Sequence, residues 1–429
     1  AEPTLSNIET IKVESRGSGP TSQNSLNLGT ATGVENVKVV DNGSNSADLN
    51  ITGLAPNSPM VTLTGDETIS LEVEDDSGDA DQVFTTVDGF NGELNLSNEI
   101  ENVAVTAASA SAFDLTQETE AFETLTVDGD ADTTITSAVS STYDYTGSTG
   151  NNTLVLTKDD PDDQVVIKGG SGDEKFDFTT TMDGKSEDGH PNTVDGGAGQ
   201  DQVWVELDEP VTVQPEIENV EAIKLQFNVG GSQDATFNAS DVSPFPDTEE
   251  SEGGNPLYII EGSGSQVQLL DLADPAQVEV IGDLAEGALF RAEDDTSITT
   301  RFVTTSDEAP SITVDGDLEY EDFSDVTIQN ADSPGFPNPP TGDGRGAVEI
   351  RNQIVTNEAT SLTIETTRED DDDADNDGDI AVFGDAVSGD SGSDSDTAID
   401  DFVSGTGGSL ENLTVDAKNG NIFLGGGSD

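Results

Sequence analysis

The sequence predicts an all-β chain wound as a β-solenoid, on three observations: strand-period alternation, a recurring Glu-centred tetrad, and glycine-rich turns at comparable intervals. The alternation comes in short runs such as Thr153-Leu154-Val155-Leu156, Gln202-Val203-Trp204-Val205, Gln277-Val278-Glu279-Val280 and Ser311-Ile312-Thr313-Val314. This is the period of a strand with one buried face. No long window carries convincing helical periodicity, and 45 Gly with abundant Thr, Ser, Asn and Asp supply turns between the runs.

The tetrad is apolar-Glu-(Asn or Thr)-apolar. It occurs at Ile8-Glu9-Thr10-Ile11, Val34-Glu35-Asn36-Val37, Ile100-Glu101-Asn102-Val103, Phe122-Glu123-Thr124-Leu125, Ile217-Glu218-Asn219-Val220 and Leu410-Glu411-Asn412-Leu413, each leading into a strand-like run. The closest copies lie 26 residues apart (8 to 34) and 22 apart (100 to 122), which is the length of one solenoid coil. Wider gaps leave room for unmarked coils or for additional β-sandwich-like units.

The turns carry the candidate chemistry. Gly196-Gly197-Ala198-Gly199-Gln200-Asp201-Gln202-Val203 fits the calcium nonapeptide G-G-x-G-x-D-x-U at every defined position. Gly169-Gly170-Ser171-Gly172-Asp173-Glu174-Lys175-Phe176 is the same string with Glu at the ligand place, and Gly147-Ser148-Thr149-Gly150-Asn151-Asn152 is a weaker copy. Glycines allow the tight turn and bare their carbonyls, and carboxylates add hard anionic oxygens, the ligand set Ca²⁺ prefers. The candidate metal residues are therefore Asp201, Asp195, Asp173, Glu174 and Asn152, with Gly170, Gly172, Gly197 and Gly199 as turn positions. A further candidate is Asp373-Ala374-Asp375-Asn376-Asp377-Gly378-Asp379-Ile380, where alternate acids Asp373, Asp375, Asp377 and Asp379 have calcium-loop spacing. Its alternative is a solvated acidic linker, since Glu369 to Asp373 is already a like-charge run.

The order nonapeptide, strand, spacer, Ile-Glu-Asn-Val and strand over residues 194–226 resembles the RTX-type S-layer proteins of Gram-negative bacteria. The likeness is good over residues 146–230 and pattern-deep elsewhere. It implies a secreted chain, right-handed parallel β-helix or β-solenoid coils with calcium turns, many bound Ca²⁺ ions, and a two-dimensional lattice on the cell surface. The nonapeptides depart from that family in being 22 and 27 residues apart (147 to 169, 169 to 196) and not contiguous.

Charge narrows the partners. Against 89 Asp+Glu stand 14 Lys+Arg, a net charge of −75, so the chain repels itself unless salt screens it or cations neutralise it. Both conditions point outside an ordinary cytosol, to a saline, extracellular setting. Nucleic acid is excluded as a partner because binding needs basic side chains to displace counterions. Anionic lipid is excluded unless divalent ions bridge the two. No apolar run is long enough to span a membrane. With no Cys there is no disulfide framework or thiol chemistry. The chain opens on Ala1 with the tail of a repeat unit and closes on Gly425-Gly426-Gly427-Ser428-Asp429, the head of another, which suggests a segment of a longer polymer-forming protein.

Proline- and glycine-rich breaks at 243–256 and 333–345 divide the chain into an N-terminal β-solenoid region (1–145), a calcium-turn region (146–242), a third β unit (257–332) and an acidic C-terminal β unit (346–429). Catalysis finds little support. The single His190 sits in a polar turn, so His-dependent triads and His-rich zinc sites are unavailable. Trp204 reads as a core residue. The expected function is a non-enzymatic, self-assembling coat or filament, a homo-oligomer stabilised by Ca²⁺ and anchored through a cell-surface glycan. Its alternatives are a calcium-dependent adhesin or matrix protein, and a carbohydrate-active β-helix enzyme, which the 5% aromatic content disfavours.

Overall fold

In a computed structural model, the described residues are 5–14, 23–40, 48–55, 59–74, 81–97, 100–117, 122–137, 140–157, 164–181, 191–229, 234–245, 254–303, 312–330, 348–350, 354–357, 359–366, 380–382, 403–404, 412–417 and 422–424. They contain strands and no helix, so none crosses a membrane as a long apolar helix. Every strand ladder between named strands is parallel, and the chain is a β-solenoid as its repeats predict. It divides into two compact units. The first is residues 1–180, 185–203 and 217–220, and the second is 181–184, 204–216 and 221–429.

In the first unit each coil gives one strand to each of two sheets. One sheet has ten strands, in the order Thr10–Glu14, Asn36–Val40, Met60–Gly65, Gln82–Phe90, Asn102–Ser109, Phe122–Gly129, Ser140–Ser148, Val166–Lys168, Thr193–Asp195 and Glu216–Glu218. The other sheet takes the intervening strands, from Gln23–Asn27 through Asp48–Leu54, Thr68–Val73, Glu93–Leu96, Ser111–Gln117, Thr133–Ser137 and Thr153–Leu156 to Lys175–Thr181. Alternation sends every second side chain inward, so identical positions stack into columns such as Val37, Val61, Thr85, Val105 and Val127. These five are buried, and each such aliphatic side chain contributes about 1.5–3 kcal/mol by leaving water.

The tetrads are the register marks of this stack. Ile8 to Ile11 aligns with Val34 to Val37 through Thr10↔Asn36 and Ile11↔Val37. Ile100 to Val103 aligns likewise with Phe122 to Leu125. The glutamate's backbone carbonyl is the junction: Glu9 O accepts the N–H groups of Glu35 and Asn36, both at 2.9 Å, and Glu101 O those of Glu123 and Thr124, at 2.7 and 3.0 Å.

The second unit contains three parallel ladders. One runs from Ala222–Phe227 through Leu257–Ser263 and Ala276–Val280 to Asn412–Ala417, and one from Thr212–Val213 through Ala235–Asn238 and Val267–Leu272 to Val403–Ser404. Ala288–Phe302 and Leu318–Asn330 bend to serve both. The third joins Ile312–Val314, Val348–Ile350, Ile380–Val382 and Ile422–Leu424. Trp204 corrects the sequence reading. Val203, Val205 and Leu207 take the inward phase of its strand, so Trp204 lies half-buried on the outer side with Lys224 Nζ 3.5 Å from its ring centroid.

Candidate functional site

The predicted calcium turns lie in the first unit, each one coil from the next. Ser171 N–H donates to Ser148 O at 3.1 Å and Ala198 N–H to Gly170 O at 3.0 Å. The 22- and 27-residue spacings are therefore whole coils, and the turns stack on one corner. A further turn, Gly129-Asp130-Ala131-Asp132-Thr133, continues the pile, with Thr149 N–H donating to Gly129 O at 2.8 Å. Stacking this close leaves no room for a side chain at the glycines. Gly197 and Gly199 adopt φ of 96° and 144°, values open to glycine and costly for other residues.

Two columns of polar side chains run along this corner. The inner one is Ser111, Thr133, Asn152, Glu174 and Asp201, one residue per coil and all buried. Asn152 Oδ1 accepts the Thr133 N–H at 3.2 Å and the Thr133 hydroxyl at 2.8 Å. Its Nδ2 donates to Gly150 O at 2.7 Å, Ser148 Oγ at 2.9 Å and Glu174 Oε1 at 3.2 Å. Glu174 Oε2 accepts the Gly170 N–H at 3.2 Å, and Asp201 Oδ1 accepts the Glu174 N–H at 2.7 Å. The outer column repeats one bond: Asp132 Oδ1 accepts from Asn151 N–H at 2.8 Å, Asn151 Oδ1 from Asp173 N–H at 3.0 Å, and Asp173 Oδ1 from Gln200 N–H at 2.9 Å. Asp195 Oδ1 stands beside them, accepting from Gly197 N–H at 3.2 Å and Asn219 Nδ2 at 2.6 Å.

No protein-family model, curated protein or solved structure matches this chain. Function rests on the chain's own geometry.

The predicted turns thus share one corner, and their polar side chains carry hydrogen bonds that the motif does not mention. Asp201, Asp173 and Asn152 tie successive coils together by accepting backbone N–H groups of the adjacent coil, whereas Glu174 and Asp195 each accept an N–H of their own turn and meet a neighbouring coil through the side-chain amides of Asn152 and Asn219. The donors are oxygen-rich and suit Ca²⁺ in kind. Their arrangement is a hydrogen-bonded column: among the described residues no group of three or more acidic or His side chains converges as a metal cage. Asp373, Asp375, Asp377 and Asp379, like His190, lie outside the described residues. Reading by motif missed Ser111 and the turn ending at Thr133. The available signal was spacing alone, since Thr133 precedes Asn152 by one coil of 19 residues (152 − 133).

Burial pushes the Glu174 carboxyl up to about 7. Hydrogen bonds from Asn152 and Gly170, with the contact to Asp201, pull it partly back, and the Asp173 charge raises it further. A folded-state pKa above the ordinary carboxylate value makes the protonated form the stabilising one. That contribution is complete below about 4.5 and is lost as pH rises through about 7. Glu174→Gln has no carboxyl to titrate, so its unfolding midpoint relative to the wild type's should rise between pH 4 and pH 8. The same difference at both pH values would refute the assignment.

Proposed function

We propose that this chain is an extracellular structural protein without catalytic activity, which assembles with its own copies into a surface coat or filament in a saline, cation-rich setting. The observation that carries the reading is the ten-stranded parallel sheet of the first unit, a regular face built coil upon coil, on a chain of net charge −75. A repeated, in-register scaffold offers many equivalent positions for contact at little conformational cost. The charge makes such contact conditional on screening or cation bridging. Ca²⁺ is the proposed cation, because its six to eight oxygen ligands and loose geometry let carboxylates of two copies share one ion. A cell-surface glycan is the proposed anchor.

Negative-stain microscopy of purified protein at high salt, with millimolar Ca²⁺ and after chelation, tests the reading. Ordered sheets or filaments that dissolve on chelation are expected. Dispersed particles in both conditions would favour an adhesin. Calcium at the turns has its own test in Asp201. Asp201→Ala removes the acceptor for the buried Glu174 N–H and should cost about 1–3 kcal/mol even in chelator. Asp201→Asn keeps an acceptor, so it should match the wild type in chelator and lack the wild type's gain in thermal midpoint on adding Ca²⁺. An undiminished gain in Asp201→Asn would remove Asp201 from the ligands.

A further inference from the structure

Resting on the extracellular part of that reading, we infer that Asn50 is a glycosylation site, which takes a sugar on its side-chain amide nitrogen from a polyprenyl-diphosphate-linked donor. Attachment to asparagine needs a hydroxyl two residues on, in the string Asn-X-Ser/Thr with X not Pro. The chain has six such strings, at Asn42, Asn50, Asn95, Asn151, Asn238 and Asn412, and their surroundings separate them. Asn42 lies outside the described residues. Asn238 is half-buried, and its Nδ2, the nitrogen that would carry the sugar, donates to Asp271 Oδ2 at 2.7 Å. Asn95 is half-buried beside Thr116, whose hydroxyl donates to its Oδ1. Asn151 is exposed, but its Oδ1 is tied to the Asp173 N–H within the stack of turns. Asn412 is exposed at the end of its ladder, where Ser361 flanks it on one side only among the described residues.

Asn50 meets each requirement. Its strand, Asp48–Leu54, alternates, so that Leu49 and Ile51 enter the core, 2% and 0% exposed, while Asn50 and Thr52 stand together on the outer side. Asn50 is exposed and Thr52 half-buried. Two residues of strand span about 7 Å, so the acceptor amide and its hydroxyl share one face. Register supplies the room. Asn50 pairs with Ser25 on one neighbouring coil and with Ser70 on the other, and these short side chains leave space above the sheet on both sides. A sugar on Asn50 projects outward, and no buried side chain has to move to admit it.

The transfer is a substitution at the anomeric carbon of the sugar. The Asn50 amide nitrogen bonds to that carbon and the carbon–oxygen bond to the diphosphate breaks. The polyprenyl diphosphate leaves with the electron pair, and the amide proton passes to a base of the transferase. No oxidant or reductant enters. Because the donor is a membrane lipid, the acceptor chain must reach the membrane on its way out, which is where the extracellular reading enters.

The test is the mass of one peptide. Protein released by protease or chelator from the surface of intact source cells, cut ahead of Asp48 and Asp66, gives residues 48–65, which contain Asn50 and none of the other five strings. This peptide should exceed the mass of its bare sequence by whole sugar residues. Asn50→Gln and Thr52→Ala, made in the same cells, should each lose the entire increment, and Thr52→Ser should keep it. All three alter only the outer side of the strand and should keep the wild-type circular dichroism. A bare 48–65 peptide from surface-released protein would overturn the inference and leave the extracellular reading standing, as would an increment that survives Thr52→Ala. A chain found only inside the cells would overturn the extracellular reading itself.

Discussion

Replacing Gly199 by Ala is expected to cost about 3 kcal/mol, the sum of backbone strain and broken inter-coil hydrogen bonds. A Cβ on Gly199 would stand 1.9 Å from Gly172 O, and its φ of 144° is unfavourable for any side chain. Relief is difficult because the obstacle is backbone. Gly172 is in turn pressed on the coil beyond, where its own Cβ would lie 2.2 Å from Gly150 O. Moving one turn means moving the pile. The same shift would stretch the Asp173-to-Gln200 and Asp201-to-Glu174 bonds that flank it. For a unit of this size the thermal midpoint should fall by roughly 6–12 °C. Gly264→Ala is the control, since nothing lies within 4 Å of the added carbon. A Gly199→Ala midpoint within a degree of the control would mean that the turns do not stack as described.

Removing both salt and divalent cations should unfold the chain altogether. Pairs such as Lys12–Glu14, Lys175–Asp177, Lys224–Glu261 and Arg291–Asp271 hold their members within 2.7–3.1 Å. Even if all 14 basic residues were paired, 89 − 14 = 75 acids would be left over. At 1 M salt the Debye length is about 3 Å and these charges scarcely sense one another, whereas at 0.01 M it is about 30 Å and repulsion sums over the chain. The opposing stabilisation of a folded domain is only about 5–15 kcal/mol. Dialysis into low-salt chelator should therefore abolish the β signal in circular dichroism and expand the radius of gyration roughly threefold. Restoring salt or millimolar Ca²⁺ should reverse both changes. An unchanged spectrum and radius would show that neither screening nor neutralisation is needed.

The fold was largely legible because a solenoid writes its period into the sequence. Glu9 and Glu35, or Glu101 and Glu123, recur at the spacing that brings their carbonyls into line, and Gly150, Gly172 and Gly199 recur at the spacing that lets turns touch. The number of sheets was not legible. Period-two alternation fixes which side chains face inward, and it is indifferent to whether a coil has two strands, as in the first unit, or feeds three ladders, as in the second. Trp204 was misread for a related reason: the alternation was seen, and its phase was assigned by residue type and not by the flanking Val203 and Val205. The candidate site was legible as a place and illegible as an arrangement. A carboxylate in a glycine-rich turn suits a cation and an orphan backbone N–H equally well. Only the neighbouring coil, absent from any local motif, reveals that Asp201 reaches the N–H of Glu174 and that Asn152 reaches that of Thr133.

The central claim, that the chain is built to associate with itself once its charge is offset, is tested most directly by sedimentation velocity of the purified protein across a Ca²⁺ titration at fixed high salt. Lone chains should give way to large assemblies as Ca²⁺ reaches the millimolar range, and chelator should return them. A single species sedimenting as one chain at every Ca²⁺ concentration would contradict it.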